Sequence, residues 1–305
     1  MDTKEAKEII DCLGQDALPF WYFRDRYALL LISMLGDSVS KQEIKASPYA
    51  QLLDKAAVRS VLAQFRGRAA PSHAFELETR DEPVSYPLTL ALWGGHSHWW
   101  VQTTRRGYSL VLQLNFPIEH NRTYRRLIDP EGRMPFVYTD HPVRIKRFVT
   151  MAWSRMDVDL NTGEVLIEEI QSDWMRHWRH YREVARQRRH CVPVRVLCVA
   201  VDNIIQYCDT ELSKHQHWPE TMLAASIWFI RCQLGIRRIF YHTHESGAAL
   251  KRTGDRKPPR SLYTKLPARF CFRETETRPA FMQRGVRTNC SKKAVAAARF
   301  QLLEL

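Results

Sequence analysis

The chain has 305 residues, of which 45% are hydrophobic, so it can bury a substantial core, and this composition excludes an intrinsically disordered chain. Its formal net charge of +13 at pH 7 favours phosphate-rich partners, because each Lys or Arg that neutralises a phosphate releases a counterion. We therefore expect DNA, RNA or a nucleotide-like ligand as partner, and a soluble protein that is merely basic is the alternative.

Cysteine usage and the N-terminal sequence bear on the compartment. The seven cysteines include no CxxC pair, and the N-terminal stretch MDTKEAKEII lacks the apolar run of a signal peptide. The longest apolar run, residues 27–35, is too short to cross a bilayer. We expect a cytoplasmic protein with reduced thiols and no membrane partner.

Residues 1–72 are predicted to form a helical N-terminal subdomain. Residues 18–35 indicate an apolar helix that ends at Gly36. Ser40 with Glu43 three residues later matches a capping box, and residues 54–66 carry apolar side chains on one helical face. A helical cap on the core is the favoured interpretation, and a helix-turn-helix DNA reader is the alternative.

Residues 73–305 are predicted to form a mixed α/β core with the character of a catalytic domain. Hydrophobic periodicity and turn residues predict, in chain order, strands at 88–93 and 108–116, a hairpin at 151–171 turning at Asn161-Thr162-Gly163, a helix at 173–189 capped by Ser172, a strand at 194–201, a buried helix at 220–234, a strand at 236–242 and a helix at 258–269. The predicted class is α/β (α+β), with a mixed, partly antiparallel sheet flanked by helices.

The 151–171 hairpin concentrates acidic side chains. Asp157 and Asp159 are two residues apart on one strand, and Glu169 and Gln171 are two apart on the next, so each pair shares a face. Oxygen ligands of this kind suit Mg²⁺ or Mn²⁺, which can activate water and offset the charge of a phosphodiester. The alternative is a solvated hairpin in which Glu168 and Asp159 point to water.

The segment Glu169-Ile170-Gln171 resembles the E-x-K strand of the PD-(D/E)xK nuclease superfamily in an E-x-Q variant, as in CoiA-like competence proteins. The resemblance covers residues 150–205. It implies a metal-dependent nuclease in which Asp157 or Asp159, with Glu169, holds Mg²⁺ or Mn²⁺, and we take all three as candidate metal ligands. Gln171 would position the attacking water, and Asp173 joins Glu169 and Gln171 among the candidate catalytic residues.

The segment I-E-E-I-Q-S-D-W, with the helix and strand after it, resembles a domain of large phage and mobile-element polyproteins over residues 155–270. This resemblance implies a mobile-element or defence setting and no particular reaction.

The helix predicted after the hairpin interleaves aromatic and basic side chains. Its apolar stripe is Trp174, Trp178, Tyr181 and Ala185. Core packing explains the stripe most simply, while interleaved aromatic and Arg side chains also suit single-stranded nucleic acid. The candidate nucleic-acid contacts are Arg176, Trp178, Arg179 and Arg186, and a non-enzymatic nucleic-acid-binding module is therefore a further alternative.

Three His-x-His pairs, His96/His98, His215/His217 and His242/His244, could each bind zinc from one face of a strand. No carboxylate or thiol follows at a regular spacing, so scattered polar or core histidines are the favoured interpretation.

Residues 221–272 resemble the last half of GNAT acyltransferases. The resemblance lies in a buried helix, Gly235, a strand ending at Tyr241 and the segment SLYTKLPARFCFR. It implies transfer of an acyl group from acyl-coenzyme A, with Tyr263 as general acid. Acyl transfer is the rival of the nuclease hypothesis.

Overall fold

The computed structural model of the chain describes residues 1, 3–13, 16–78, 82–95, 103–104, 107–132, 141–145, 147–188, 195–196, 198–251, 258–282 and 297–305. The strands of this part are β1 (Leu18–Tyr22), β2 (Ser38–Val39), β3 (Ala70–Pro71), β4 (Val84–Gly94), β5 (Tyr108–Asn115), β6 (Thr150–Asp159), β7 (Glu164–Gln171), β8 (Arg195–Val196), β9 (Val199–Ala200), β10 (Arg238–His242), β11 (Arg273–Thr275) and β12 (Phe300–Glu304).

One eight-stranded sheet organises the fold, with the order β1-β4-β5-β6-β7-β10-β12-β11. Only the β7–β10 pair within it is parallel, and the remaining neighbours are antiparallel. The two short pairs, β2–β3 and β8–β9, lie outside it. The predicted α/β class with a mixed, partly antiparallel sheet is therefore confirmed.

Helices cover this sheet. They are α1 (Thr3–Leu13), α2 (Arg26–Ser33), α3 (Lys41–Ala46), α4 (Ala56–Gln64), α5 (Ser72–Leu77), α6 (Ile118–Leu127), α7 (Asp173–Arg188), α8 (Val201–Gln206), α9 (Trp218–Trp228), α10 (His244–Lys251) and α11 (Lys265–Arg269). Short 3₁₀ turns occupy Ala50–Asp54, Leu212–His215 and Arg260–Leu262, and π-helical turns occupy Tyr207–Glu211 and Phe229–Gln233. No helix of the described residues is long and apolar enough to cross a membrane.

Three local predictions are confirmed, two by hydrogen bonds at helix starts and one by the backbone conformation of a turn glycine. The Ser40 side chain accepts from the Glu43 amide and the Glu43 carboxylate accepts from the Ser40 amide, which is the capping box of α3. Ser172 Oγ accepts from the Met175 amide at the start of α7. Gly163 takes φ +63° in the β6–β7 turn, a conformation that costs glycine little.

The predicted helix over residues 18–35 is wrong in its first half. Residues 18–22 form β1, which pairs antiparallel with β4. Phe20 and Tyr22 are buried while Trp21 between them is 52% exposed, so the segment follows the alternation of a strand. Asp25 then takes φ 63° and α2 begins after it. Aromatic residues favour strands, and in residues 18–22 this preference outweighed the apolar run that had indicated a helix.

Two further predictions are wrong in the C-terminal half. The predicted strand over residues 194–201 is wrong, because the described residues form two short strands, β8 and β9, that pair antiparallel with each other. Residues 258–269 form a 3₁₀ turn and the short helix α11 rather than one helix. The predicted helix at 220–234 corresponds to α9 followed by a π-helical turn.

Apolar side chains from the whole chain share one large core, in which Tyr27 of α2 stacks on Phe270 at a centroid distance of 4.4 Å. Helix α9 packs on β5, β6 and β7. A smaller cluster around Leu166, Phe240 and Phe300 is separate from the main core. The predicted boundary between residues 72 and 73 stays a prediction, although β1 belongs to the same sheet as the rest of the core.

Candidate active site

The register of the β6–β7 hairpin decides which acidic side chains share a face. Asp159 pairs with Glu164, Asp157 with Leu166 and Arg155 with Glu169, with a bulge at Glu168 between the last two pairs. Paired residues share a face, and so do residues two apart on a strand. The predicted shared face of Asp157, Asp159, Glu169 and Gln171 is therefore confirmed. The bulge adds Glu168 to this face, because it lies two residues beyond Leu166.

Sharing a face does not bring Asp159 and Glu169 together. Glu169 lies opposite Arg155, and Asp159 is four residues further along β6. At ~3.4 Å per residue in an antiparallel pair, that offset is about 14 Å along the strand, far beyond the span of one metal ion. Within the described residues no group of three or more His, Cys, Asp or Glu side chains could hold a metal ion. A divalent ion at Glu169 stays a prediction.

At the turn end of the hairpin, the carboxylates of Asp157 and Asp159 accept hydrogen bonds that stabilise the fold. Asp157 is buried and its Oδ1 accepts from Ser109 Oγ at 2.7 Å. Asp159 Oδ1 accepts from the amides of Asn161 and Thr162, each at 3.1 Å. These bonds explain two of the acidic residues in the motif without any ligand.

A buried polar cluster lies at the other end of β7, around the bulge at Glu168. Glu168 is 0% exposed, and its Oε1 accepts from the Thr104 amide at 2.9 Å. Its Oε2 accepts from Thr104 Oγ1 at 2.8 Å and lies 3.1 Å from His242 Nε2. The alternative interpretation in which Glu168 points to water is therefore wrong. The bulge turns this side chain inward, toward β10.

The pKa values of Glu168 and His242 are both lowered, but for different reasons. Burial alone would raise the pKa of Glu168, but the hydrogen bond to His242 and the charges around it lower that pKa well below its ordinary value. Burial lowers the pKa of His242 in spite of the neighbouring carboxylate. We therefore describe the pair as an ionised carboxylate that accepts from a neutral imidazole.

The neighbouring carboxylate, Glu169, lies between two cations. Arg155 Nη2 is 3.1 Å and Lys251 Nζ is 3.4 Å from Glu169 Oε2, and both basic side chains are almost fully buried. Burial raises the pKa of Glu169, but the charges of Arg155 and Lys251 outweigh it and the net shift is downward. The carboxylate is thus held ionised.

The Lys251 ammonium has a full set of acceptors. Besides Glu169, Nζ donates to the Glu168 carbonyl at 2.7 Å and to the Tyr263 hydroxyl at 3.3 Å. Burial lowers the pKa of Lys251 more than the two carboxylates raise it. Burial also raises the pKa of Tyr263, which is 2% exposed. This lysine is therefore a fixed ammonium that releases its proton more readily than an exposed one.

A second polar chain extends from Gln171. Gln171 Nε2 donates to Asp173 Oδ1 at 2.9 Å, and Arg176 Nη2 donates to the same oxygen at 2.6 Å. His141 Nδ1 lies against the other oxygen of Asp173. Burial would raise the pKa of Asp173, but the hydrogen bond to His141 and these other contacts lower it. Asp173 thereby orients groups that come from three parts of the chain.

These side chains border a cleft of about 540 Å³ at the C-terminal end of β7. Strand β7 pairs with β10 only as far as Ile167, and then runs on to Gln171. Beyond Ile167 no strand of the described part of the chain pairs with β7 on that side. The cleft is lined by His141, Glu169, Ile170, Gln171, Ser172, Met175, Arg176, Arg179, Trp218, Lys251, Pro258, Pro259 and Leu262. The cleft is therefore bordered both by a strand edge that no described strand pairs with and by the basic side chains of Arg176 and Arg179.

The residues of α7 that were predicted to contact nucleic acid lie in three different environments: the core, an ion pair and the cleft. Trp178 is 1% exposed and packs edge-on against Tyr207, so its prediction as a stacking surface is wrong and the core interpretation is confirmed. Arg186 pairs with Asp209 at 3.5 Å. Arg176 and Arg179 are exposed and line the cleft.

The histidine pairs show no zinc geometry where they are described. His215 is buried with its Nδ1 2.9 Å from the Tyr86 hydroxyl, and His242 lies against Glu168. His96 and His98 lie outside the described residues.

Sequence reasoning missed Arg155, Glu168, His242 and Lys251 as members of one cluster, and it missed His141. The one sequence signal near Glu168 was the pair of adjacent carboxylates, Glu168 and Glu169, in an otherwise apolar strand. The others come from distant parts of the chain that only the fold brings together.

Comparison with protein-family models, with curated proteins and with solved structures finds no match for this chain.

Proposed function

We propose that this protein is an acyltransferase that takes the acyl group of an acyl-coenzyme A in the β7 cleft. The observation that carries the proposal is the edge of β7 beyond Ile167, which pairs with no strand of the described residues and borders the same cleft as Arg176 and Arg179. The chain's C-terminal resemblance to GNAT acyltransferases supports the same reaction.

The cleft suits an extended ligand that carries amides at one end and phosphates at the other. An unpaired strand edge offers backbone donors and acceptors to such a chain, as when a peptide adds to a sheet. The coenzyme A arm contains two amides and ends in phosphates. Arg176 and Arg179 would bind those phosphates, since guanidinium groups pair with phosphate oxygens in a bidentate way. Met175, Trp218 and Leu262 offer apolar contact for the methylene segments.

Lys251 is the group we expect to protonate the leaving thiolate. The acceptor forms a bond to the thioester carbonyl carbon, the carbon–sulfur bond breaks, and the acceptor's proton passes through Glu169 to water. The departing sulfur takes a proton from the Lys251 ammonium, whose lowered pKa makes it a better acid than an exposed lysine, and Lys251 then regains a proton from water. Lys251 lines the cleft, whereas Tyr263 lies behind it and holds its ammonium at 3.3 Å. Tyr263 is therefore a positioning residue in this proposal.

The first test is binding and thiol release. Millimolar acetyl-coenzyme A should raise the melting temperature of the protein, and thiol should appear when amine acceptors are added. Lys251→Met should lower thiol release by about a hundredfold or more, since a positioned acid contributes roughly 10²–10⁴-fold. Lys265→Met, at an exposed lysine of α11, is the matched control and should behave as the native protein. No change in melting temperature with acetyl-coenzyme A would refute the proposal.

A metal-dependent nuclease acting on DNA or RNA is the second candidate. One observation favours it: Glu169 and Gln171 share the cleft with Arg176 and Arg179. A bound Mg²⁺ or Mn²⁺ would have to displace Arg155 or Lys251 from Glu169. Mg²⁺-dependent cleavage of labelled DNA or RNA that vanishes in Glu169→Ala would support this candidate, and cleavage that persists in that variant would sink it. Salt-sensitive binding without turnover would instead indicate a non-enzymatic nucleic-acid-binding module.

A further inference from the structure

A second cleft, of about 850 Å³, shares no lining residue with the β7 cleft. Its walls come from α2, from α5 and from the π-helical turn Phe229–Gln233. Neither the proposed acyl transfer nor the nuclease candidate uses any residue of this cleft.

Three arginines from separate elements meet here: Arg26 from α2, Arg231 from the π-helical turn and Arg237 from the segment before β10. Within the described residues none of these guanidinium groups forms an ion pair with a carboxylate. Arg26 Nη1 donates to the Trp21 carbonyl. Arg231 Nε is buried and has no hydrogen-bond partner among the residues that the structure describes.

Three guanidinium groups in one cleft repel one another, and a buried N–H without an acceptor costs about 1–3 kcal/mol. The π-helical turn contributes to this arrangement, because it occurs where α9 ends and carries Arg231 into the cleft. Such turns are uncommon and often occur at functional sites. An anion would remove both costs at once by accepting from the free donors.

The remaining lining limits which anion fits. Asp37 and Glu76 also face the cleft, so the side chains that line it carry three positive and two negative charges. That balance suits one phosphate group better than a long polyanion. Half-buried Trp228 and apolar Leu30 lie beside the arginines and offer a flat apolar surface. Trp is the side chain on which planar rings stack most readily.

We propose that this second cleft binds a nucleotide-type ligand, a phosphate monoester attached to a planar ring. Arg231 and Arg237 bind the phosphate and Trp228 contacts the ring. Asp37 and Glu76 accept hydrogen bonds from hydroxyl or amino groups of the same ligand.

Calorimetric titration with guanosine 5′-monophosphate and with inorganic phosphate tests the site. Both should bind, the nucleotide more tightly. Arg231→Gln and Arg237→Gln should each weaken nucleotide binding about tenfold or more, since a charge-assisted hydrogen bond is a strong one. Arg237 is exposed, so its variant decides the matter if Arg231→Gln fails to fold. Trp228→Leu should weaken binding of the nucleotide but not of phosphate.

A control variant separates this site from other basic surfaces. Arg59→Gln, at an exposed arginine of α4, should bind guanosine 5′-monophosphate like the native protein. The proposal is overturned if the nucleotide does not bind at millimolar concentration. Binding that is unchanged in Arg237→Gln, or lost equally in Arg59→Gln, would overturn it as well.

Discussion

The two ends of the β6–β7 hairpin carry carboxylates on one face of the sheet and use them differently. At the turn, Asp159 accepts from two backbone amides, and Glu164 pairs with Arg238 and accepts from the Ala280 amide. At the bulge, Glu168 and Glu169 lie among buried basic side chains beside an open cleft. The cluster of acidic residues in the sequence therefore indicates the hairpin. The partners of each carboxylate in the structure decide whether it stabilises the fold or belongs to a functional site.

The largest effect is expected at Glu168. In Glu168→Ala, Thr104 loses its acceptor and His242 its partner, and Lys251 loses a nearby negative charge. Removing one member of a buried charged network costs about 3–5 kcal/mol of unfolding free energy, which urea denaturation would measure. Glu168→Gln keeps an acceptor oxygen and should lose less. A change of under about 0.5 kcal/mol in Glu168→Ala would show that the bulge cluster is not structural, since surface substitutions lie within that range.

The sequence predicted the hairpin, its turn and α7 because those elements follow from neighbouring residues: Gly163 for the turn and Ser172 for the helix start. It predicted that Asp157 and Asp159 share a face, and that Glu169 and Gln171 share one, because each pair depends only on alternation. That both pairs lie on the same face depends on the bulge at Glu168. The bulge could not be predicted, and neither could the position of Lys251 beside Glu169, 82 residues away along the chain. Such contacts depend on the parallel pairing of β7 with β10, which short-range patterns do not specify.

An intermediate effect is expected at Glu169, with a defined pH dependence. Glu169→Gln leaves the buried Arg155 and Lys251 short of one negative charge and should cost about 1–3 kcal/mol at pH 7. Because the folded-state pKa of Glu169 is lowered, its stabilisation is fully present above the unfolded-state pKa of about 4.3 and is lost as pH falls below it.

Urea denaturation at pH 7 and at successive lower pH values measures this. The native protein should lose stability as the solution is acidified below about pH 4.3, and Glu169→Gln should lose less over the same range. The matched control is Glu274→Gln, at an exposed carboxylate of β11, which should retain the native pH dependence. Identical slopes in the native protein and Glu169→Gln would mean that Arg155 and Lys251 do not hold this carboxylate ionised.

The smallest effect is expected at the turn, where water can replace what Asp159 provides. Asp159→Ala removes the acceptor of the Asn161 and Thr162 amides, at a cost of about 0.5–1 kcal/mol, as for other exposed capping side chains. Asp159→Asn keeps that oxygen and should be nearly neutral. Thiol release should be the same in both variants, because Asp159 is distant from the cleft. If Asp159→Ala instead abolished activity while its stability changed this little, the turn end would belong to the site. Loss of Mg²⁺-dependent cleavage of DNA or RNA in Asp159→Ala would instead support the nuclease candidate, in which Asp159 is a metal ligand.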